Sequence, residues 1–270
     1  MKILEKIVRQ KQKEVASLKR RIPLKDLKQK WAISAAKKFS LIEKMKNSAE
    51  LRFICEVKRA SPSAGWIKQE VDPADQAKAY AAGGAAAISV LTDKHFFNGR
   101  QEDLTQIRHA IDLPLLRKDF IIDEYQVWES ALMGADLILL IVRILDTDQL
   151  ERLLRLASEL GLEVLVELHG KKDIEKLPAH IETLPVILGV NNRNLDTFEV
   201  DLNHSLKMIG YLPHGLPAIS ESGVKSADDC VQLKTHGFKG VLIGEALMRQ
   251  QDPSKFLRHL IEATGHVYTS

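Results

Sequence analysis

The first part of the chain has the apolar pattern of a surface helix. Positions 3, 4, 7, 8, 15 and 18 are apolar and recur at helical spacing, with Lys and Arg between them. This pattern predicts an amphipathic helix over about residues 2–20. Pro23 marks the first break, and Ser40 is placed to cap a second short helix that carries Leu41 and Met45. We therefore predict an N-terminal helical extension over residues 1–50.

From residue 51 onward, short apolar runs alternate with helical patterns. Eight runs are predicted strands: 52–58, 86–91, 115–118, 137–142, 163–167, 186–190, 218–221 and 240–243. The predicted helices are 73–82, 102–111, 124–133, 148–160, 172–177, 204–209, 226–235 and 253–263. A strand begins about every 20 to 35 residues, which fits βα units with right-handed crossovers. The strands are mostly apolar on both faces, as in a buried parallel sheet.

The number of units indicates the fold. Eight βα units in about 200 residues are typical of a (β/α)8 TIM barrel. We predict that residues 51–270 form this barrel and that residues 1–270 form a single α/β domain with the extension. A doubly wound open sheet is the alternative, and it usually carries a Gly-rich dinucleotide loop after its first strand. The segment from Arg59 to Gly65 has no G-x-G-x-x-G pattern.

Composition narrows the protein class. The 270 residues are 45% hydrophobic and 28% charged, which excludes intrinsic disorder. The longest apolar stretch, 135–145, contains Asp136 and Arg143 and falls short of the roughly 20 residues of a membrane span. Cys55 and Cys230 make neither a disulfide framework nor a zinc set. Without an apolar signal segment at the N-terminus, we expect a reduced, cytoplasmic protein that binds no membrane.

The charge is unevenly distributed. Residues 1–50 hold 15 Lys and Arg against 5 Asp and Glu, whereas the remainder holds 24 against 31. A solvated amphipathic helix explains this asymmetry most simply. Electrostatic steering of an anionic small substrate is the second interpretation, and nucleic-acid binding is the third.

Polar side chains collect at the predicted strand ends, where barrel enzymes carry their chemistry. They are Glu56, Lys58, Lys118, Glu167, Asn191, Arg193, Glu221 and Ser222. Alternation puts Glu56 and Lys58 on one face of the first strand, and Cys55 on the other. One such residue is more often half of a local ion pair, but five strand ends that converge on one mouth predict an active site.

Two glycine segments suit a phosphate group. Gly223 follows the seventh strand, near the start of a helix at about Lys225, and Gly244 follows the eighth. Loops at these two places form the recurrent phosphate site of TIM barrels. The nine histidines show no metal-ligand spacing, so we expect no metal, and His169 is expected at the loop surface.

Six segments together resemble indole-3-glycerol phosphate synthase, a family of tryptophan biosynthesis. They are Glu56-Val-Lys58-Arg-Ala-Ser-Pro-Ser63, Phe97-Asn98-Gly99, Leu116-Arg-Lys118-Asp-Phe120-Ile, Gly189-Val-Asn191-Asn-Arg193, Ser220-Glu-Ser-Gly223 and Leu242-Ile-Gly244. The resemblance covers nearly the whole chain, including the helical extension, which in that family lies near the barrel mouth. It implies ring closure of 1-(2-carboxyphenylamino)-1-deoxyribulose 5-phosphate, followed by loss of carbon dioxide and of water, without a metal or organic cofactor.

The resemblance also implies residue roles. Lys118 would be the general acid of ring closure, Glu167 the acid/base partner of dehydration, and Lys58 a holder of a substrate anion that is itself a candidate proton donor. Glu56 would orient and tune the lysines. Asn191, Arg193, Glu221 and Ser222 would line the site, while Ser61, Gly223, Gly244 and the backbone of Glu245 would hold the phosphate. The implied partner is an anionic small molecule with a carboxylate and a phosphate. Weak contact with other enzymes of tryptophan biosynthesis is a further expectation.

Physical chemistry adds three expectations. Clustered cations and partial burial would lower the pKa of Lys118 and suit it to proton transfer. Phe97, Phe120 and Leu140 are candidates for an apolar wall against the aromatic ring. The basic extension would attract the anion and help to close the mouth.

Departures from the family pattern are few, and alternatives stay open. Asn194 stands where Asp is more common, Ala64 where Lys is common, and Glu245 where a small residue is usual. The alternative function is another phosphate-sugar barrel enzyme, such as phosphoribosylanthranilate isomerase, which usually needs a Cys/Asp pair for aldose–ketose proton transfer. Cys55 lies on the wrong face for that chemistry, and Cys230 lies in a predicted helix.

Overall fold

A closed barrel of eight parallel strands forms the centre of the molecule. A computed structural model of the chain describes residues 3–31, 38–46, 48–62, 65–195 and 197–265. The barrel strands, each paired with the next and the last with the first, are β1 (Arg52–Val57), β4 (Ala87–Leu91), β5 (Leu115–Lys118), β6 (Leu137–Ile141), β7 (Glu163–Leu168), β8 (Val186–Asn191), β9 (Ala218–Glu221) and β10 (Gly240–Ile243). Two short strands in the loop after β1, β2 (Ala60–Ser61) and β3 (Gly65–Trp66), form an antiparallel pair. The predicted (β/α)8 barrel is confirmed, and every predicted barrel strand agrees within one residue at each end.

Helices cover the outside of the barrel and precede it. They are α1 (Ile3–Arg21), α2 (Leu24–Trp31), α3 (Leu41–Lys46), α4 (Pro73–Gly83), α5 (Lys94–Phe97), α6 (Gln101–Ala110), α7 (Glu124–Leu132), α8 (Thr147–Glu159), α9 (Lys171–Ile174), α10 (Asn203–Met208), α11 (Ala227–Thr235), α12 (Glu245–Met248) and α13 (Pro253–Gly265). The prediction over 172–177 is too long, because α9 ends at Ile174. Pro178 follows closely and disfavours the helical conformation in the residue before it.

Local sequence signals begin and end several helices. Asp72 accepts a hydrogen bond from the Asp75 amide at 2.9 Å, and Pro73 starts α4 with its fixed φ. Gly84 ends that helix in the left-handed region, with φ of 97°. The predicted cap of α3 is confirmed, since the Glu43 amide donates to Ser40 Oγ at 3.0 Å.

Alternation along the strands separates two apolar layers. One side of each strand faces the barrel interior, where Ile54, Leu139 and Leu165 belong to one buried cluster. The other side packs against the surrounding helices. Cys55 belongs to this outer layer and points away from the interior, as predicted, while Cys230 is buried in α11. Burial raises the pKa of both free thiols, so each packs as a small apolar group.

The helical extension contacts both ends of the barrel. Ile7 of α1 packs with Phe120 at the C-terminal ends of the strands, which we call the mouth. At the opposite end, Glu163 of β7 accepts hydrogen bonds from the amides of Leu41 at 3.0 Å and Ile42 at 3.2 Å. A barrel carboxylate thus caps the start of α3, where a helix favours negative charge. The extension therefore supplies a wall at the mouth and a floor beneath the barrel.

None of the helices in the described ranges is long and apolar enough to cross a membrane.

Candidate active site

Four charged side chains form one layer at the mouth of the barrel. Glu56, Lys118, Glu167 and Glu221 lie at or near the ends of β1, β5, β7 and β9. These are alternate strands of the barrel, whose side chains fill a common layer. Lys118 Nζ lies 2.6 Å from Glu221 Oε2 and 3.3 Å from Glu167 Oε2. We call these four residues the mouth tetrad.

The charge around Lys118 corrects one expectation. Burial alone would lower the pKa of its ammonium group, but Glu221, Glu167 and Glu56 raise it above the ordinary value. The expected lowering of the Lys118 pKa is therefore wrong. The charged groups that act on this lysine are carboxylates rather than the cations that the sequence suggested. Lys118 is held in its protonated form.

Glu221 is the carboxylate of the mouth tetrad that most readily takes up a proton. Burial, with Glu167 and Glu56 nearby, raises its pKa to about 7 even though Lys118 acts to lower it. Its Oε1 is buried and has no hydrogen-bond partner among the described residues. Near neutral pH, Glu221 can therefore switch between its two protonation states.

This raised pKa predicts a pH-dependent stability difference between the wild type and Glu221→Gln. The folded state binds a proton at Glu221 up to about pH 7, whereas the ordinary pKa is 4.5. Its stabilising contribution is therefore full below about pH 4.5 and is lost as the pH rises to about 7. We expect the stability of the wild type relative to that of the variant to be greater at pH 5 than at pH 8. Thermal unfolding of both proteins at both pH values measures this, and an unchanged difference would contradict it. Glu182→Gln, at an exposed position, is the control.

Lys58 adds a second cation to the mouth. Its Nζ lies 2.6 Å from Glu56 Oε1, so the predicted common face of these two residues is confirmed. Gly244 leaves room for the pair, because a Cβ there would lie 2.5 Å from Glu56 Oε1 and 3.0 Å from Lys58 Nζ. A side chain at this glycine would displace both charged groups.

A cleft of about 530 Å³ opens above the mouth tetrad. Fourteen of the predicted site residues line it: Glu56, Lys58, Ser61, Phe97, Lys118, Phe120, Glu167, Asn191, Arg193, Glu221, Ser222, Gly223, Gly244 and Glu245. The rings of Phe97 and Phe120 have their centroids 6.0 Å apart and form part of an apolar wall. Leu140 is wrong as a wall residue, because it faces the outer layer, whereas its neighbours Leu139 and Ile141 line the cleft.

Two turns shape the side of the cleft near β8 and β9. Asn191 Oδ1 accepts hydrogen bonds from Ser222 Oγ and from the Arg193 amide, both at 3.0 Å. Ser222 and Gly223 are consecutive residues with positive φ, 66° and 90°. At Gly223 a Cβ would lie 2.9 Å from Val200 Cγ1, so glycine meets both the conformation and the close approach.

The three departures from the family pattern have separate outcomes. The Glu245 carboxylate accepts hydrogen bonds at 3.0 and 2.8 Å from Arg249, the residue just after α12. Asn194 turns the loop after β8, where its amide donates to Glu199 O at 2.8 Å. Ala64 lies outside the described residues.

The structure reveals two mouth residues that the sequence analysis missed. The expectation for His169 is wrong, since its side chain is 3% exposed rather than at the loop surface. The signal was the alternation of β7, which continues through 165 and 167 to 169. Lys11 is also buried, and its Nζ lies 2.9 Å from carboxylate oxygens of Asp93 and Asp119. Its signal was a lysine four residues after Ile7 and four before Val15 on the apolar face of α1.

Comparison with known proteins decides the family. The family model described as indole-3-glycerol phosphate synthase matches residues 4–260. The chain belongs to the indole-3-glycerol phosphate synthase family. The chain is 46% identical over 225 residues to indole-3-glycerol phosphate synthase of Halalkalibacterium halodurans, covering 83% of this chain and 87% of the relative. Its identity to the same enzyme of Ruminiclostridium cellulolyticum is 42% over 258 residues, covering 96% and 98%.

Solved structures of low sequence identity share the fold alone. One is 3-hexulose-6-phosphate synthase from Salmonella typhimurium, with a TM-score of 0.63 and 15% identity over 81% of this chain and 100% of the other. A second is thiamine phosphate pyrophosphorylase from Pyrococcus furiosus, with a TM-score of 0.56 and 14% identity over 81% and 97%.

Membership of this family gives the reaction class of the protein. The chain is a carboxy-lyase of tryptophan biosynthesis, an indole-3-glycerol phosphate synthase by activity. The isomerase alternative is not favoured, since the relatives with 42–46% identity carry the synthase name.

Gly189 gives a prediction about this synthase activity. A Cβ at this position in β8 would lie 2.2 Å from Glu221 Oε1 and 2.9 Å from Leu165 Cδ1. We expect Gly189→Ala to displace the Glu221 carboxylate and to lower kcat by about 10- to 100-fold, because small misplacements in a site are costly. Overpacking should also lower stability by about 1–3 kcal/mol. Steady-state kinetics and thermal unfolding measure both effects. Gly210→Ala is the control, since nothing lies within 4 Å of its added Cβ, and equal activity of the two variants would refute the argument.

Proposed function

We propose that the cleft binds 1-(2-carboxyphenylamino)-1-deoxyribulose 5-phosphate and that the mouth tetrad converts it to indole-3-glycerol phosphate. The observation that carries this proposal is the position of Lys118 Nζ. It lies between Glu221 and Glu167 in a cleft that joins an apolar wall to several cations. Such a substrate is an aromatic acid at one end and a sugar phosphate at the other. The cleft offers matching chemistry to both ends.

Lys118 is the general acid of ring closure in this proposal. The attack of the ring carbon on the keto carbon leaves negative charge on oxygen, and a lysine that is held protonated can donate to it. Because three carboxylates raise the pKa of Lys118, proton release requires that one of them be neutralised or displaced as substrate enters. Glu221, with a pKa of about 7, is the neighbour that most easily becomes neutral.

Glu167 is the acid/base partner of dehydration. Burial would raise its pKa, but Lys118, His169 and Asn191 hold it below the ordinary value. The residue is therefore a carboxylate near neutral pH, and it can remove a proton from the ring system as water departs. Lys58, 2.6 Å from Glu56, can hold a substrate anion and donate a proton, and Glu56 orients it.

The phosphate group is assigned to the loops after β9 and β10. Ser222 and Gly223 line the cleft, and the glycine at 223 lets the backbone approach an anion closely. Gly244 and the backbone of Glu245 face the same cleft, and Ser61 of β2 lines it from the loop after β1. Lysine and arginine side chains that also line the cleft, Lys225 and Arg249 among them, add positive charge.

The remaining parts of the proposal concern the aromatic end and the partners. Phe97 and Phe120 pack against the aromatic ring, and Arg193 and Asn191 face the polar groups of the substrate. Catalysis needs no metal or organic cofactor, because lysines and carboxylates supply every proton transfer. The partner is an anionic small molecule rather than a nucleic acid, the enzyme works in the cytoplasm, and it contacts other enzymes of tryptophan biosynthesis weakly at most.

A fluorescence assay tests the proposal. Purified protein is mixed with the carboxyphenylamino-deoxyribulose phosphate, with and without a chelator, and indole fluorescence is followed. Product that appears equally with and without chelator is the expected result. Folded protein that binds this substrate without forming an indole would overturn the proposed conversion, and folded protein that does not bind it at all would overturn the assignment of this substrate to the cleft.

A further inference from the structure

We infer that His169 positions Glu167 and relays its proton, a role that rests on the proposed dehydration function of Glu167. His169 follows the end of β7, two residues after Glu167 and on the same face of the strand. Its Nε2 lies 3.4 Å from Glu167 Oε1. It is thus the next ionisable side chain above Glu167 on that face.

The surroundings of the imidazole indicate a use beyond packing. The side chain is 3% exposed, and neither ring nitrogen has a hydrogen-bond partner within the described part of the chain. A buried polar group is normally hydrogen-bonded, because leaving it unpaired costs free energy. The backbone of His169 is held in place, since its amide donates to Asp173 Oδ2 at 2.7 Å. A buried imidazole with unpaired nitrogens beside a carboxylate is arranged to exchange a proton with it.

The charged groups around His169 set the direction of that exchange. Burial lowers the pKa of the imidazole; Glu167 and Asp173 oppose this lowering, whereas Arg143 and Lys118 add to it. His169 is therefore neutral near pH 7 and can accept a proton at Nε2. Once it is charged, Arg143 from the loop after β6 and Lys118 from β5 favour release of the proton.

The chemistry supplies a proton to relay. Dehydration breaks a ring C–H bond, and the electron pair of that bond forms the new double bond. The hydroxyl group on the neighbouring carbon is protonated by an acid and departs as water. The proton passes to Glu167 Oε1, and the carboxylic acid formed there gives up its proton within the same turnover, as the C–H bond breaks. That O–H proton moves to His169 Nε2, which restores the carboxylate and forms an imidazolium. The imidazolium then gives a proton to water and becomes neutral again.

The test separates the two chemical steps in a single turnover. Carbon dioxide release reports ring closure and decarboxylation, and indole fluorescence reports dehydration. We expect His169→Gln, which retains polarity but cannot carry the proton, to release carbon dioxide at the wild-type rate. Indole formation should slow at least about tenfold, which is part of the 10²–10⁴-fold rate acceleration that general acid–base catalysis typically contributes. The acidic limb of the pH–rate profile for indole formation should shift, and added imidazole should restore part of the rate of indole formation. His180→Gln is the control, because the His180 side chain is 39% exposed and its Nε2 lies 3.9 Å from Glu151 Oε1, away from the mouth.

Glu167→Gln and the double variant distinguish the two levels of the proposal. If His169 acts through Glu167, the double variant should form indole no more slowly than Glu167→Gln alone. Normal dehydration in Glu167→Gln would reject the proposed role of Glu167 itself. Slow dehydration in Glu167→Gln with a normal rate and pH profile in His169→Gln would reject only the relay. Equal slowing of both steps in His169→Gln would also reject the relay and assign His169 a structural role.

Discussion

Lys118→Ala should lower kcat by about 1,000-fold, because it removes the proposed proton donor from the centre of the mouth tetrad. Lys118 Nζ is 2.6 Å from Glu221 Oε2, a charge-assisted contact that alanine cannot make. The loss should fall mainly on kcat, since the apolar wall and the phosphate loops that bind substrate remain. Rapid-mixing and steady-state fluorescence assays of indole formation measure it.

A small amine offers a discriminating control for that variant. Ethylamine fits the space that Lys118 vacates and should restore part of the rate, with a dependence on its protonated fraction. Lys172→Ala, at an exposed position beyond the mouth, should retain wild-type kinetics. A kcat within tenfold of the wild type in well-folded Lys118→Ala would remove Lys118 from the role of general acid.

Lys11→Met should produce the largest loss of stability, about 3–5 kcal/mol, because it leaves buried carboxylates without their cation. Lys11 Nζ lies 2.9 Å from Asp93 Oδ2, from Asp119 Oδ1 and from Glu14 Oε2. Burial would raise the pKa of Asp119, but Arg117 and Lys11 lower it to about 2. This stabilisation is present above the ordinary pKa of 3.8 and is lost as the pH falls toward 2.

Chemical unfolding at neutral and acidic pH measures both parts of this prediction. The free energy of unfolding of Lys11→Met should approach that of the wild type as the pH falls from about 4 to 2. Lys13→Met is the matched control, since Lys13 lies on the same helix but is exposed. If the two methionine variants have equal stability at pH 7, the buried ion cluster contributes nothing measurable.

The fold could be predicted because each βα unit carries its own local pattern. Apolar runs flanked by helical periodicity determined all eight barrel strands to within one residue. Short helices were harder to predict: α2 was missed and α9 was predicted too long, because a few residues carry little periodicity. The site residues were predictable as strand-end positions, since alternation assigns each side chain to a face.

Contacts between side chains on different barrel strands could not be predicted from the sequence. The pKa of Lys118 was expected to fall, but it rises because Glu167 and Glu221 approach from other strands. Leu140 was assigned to the wrong face, since β6 is apolar on both faces and no polar residue marks its phase. His169 is buried beside Glu167 rather than at the loop surface, and the alternation of β7 puts the two residues in phase.

The contacts of the helical extension have a consequence for synthesis on the ribosome. The extension precedes the barrel, yet Lys11 pairs with Asp119, and the amide of Leu41 binds Glu163 of β7. The extension therefore cannot dock until residues far along the chain have emerged. At about 5–20 residues per second, this delay is on the order of ten seconds. During that interval the apolar face of α1 lacks its native partners, which makes it a site that a chaperone can engage.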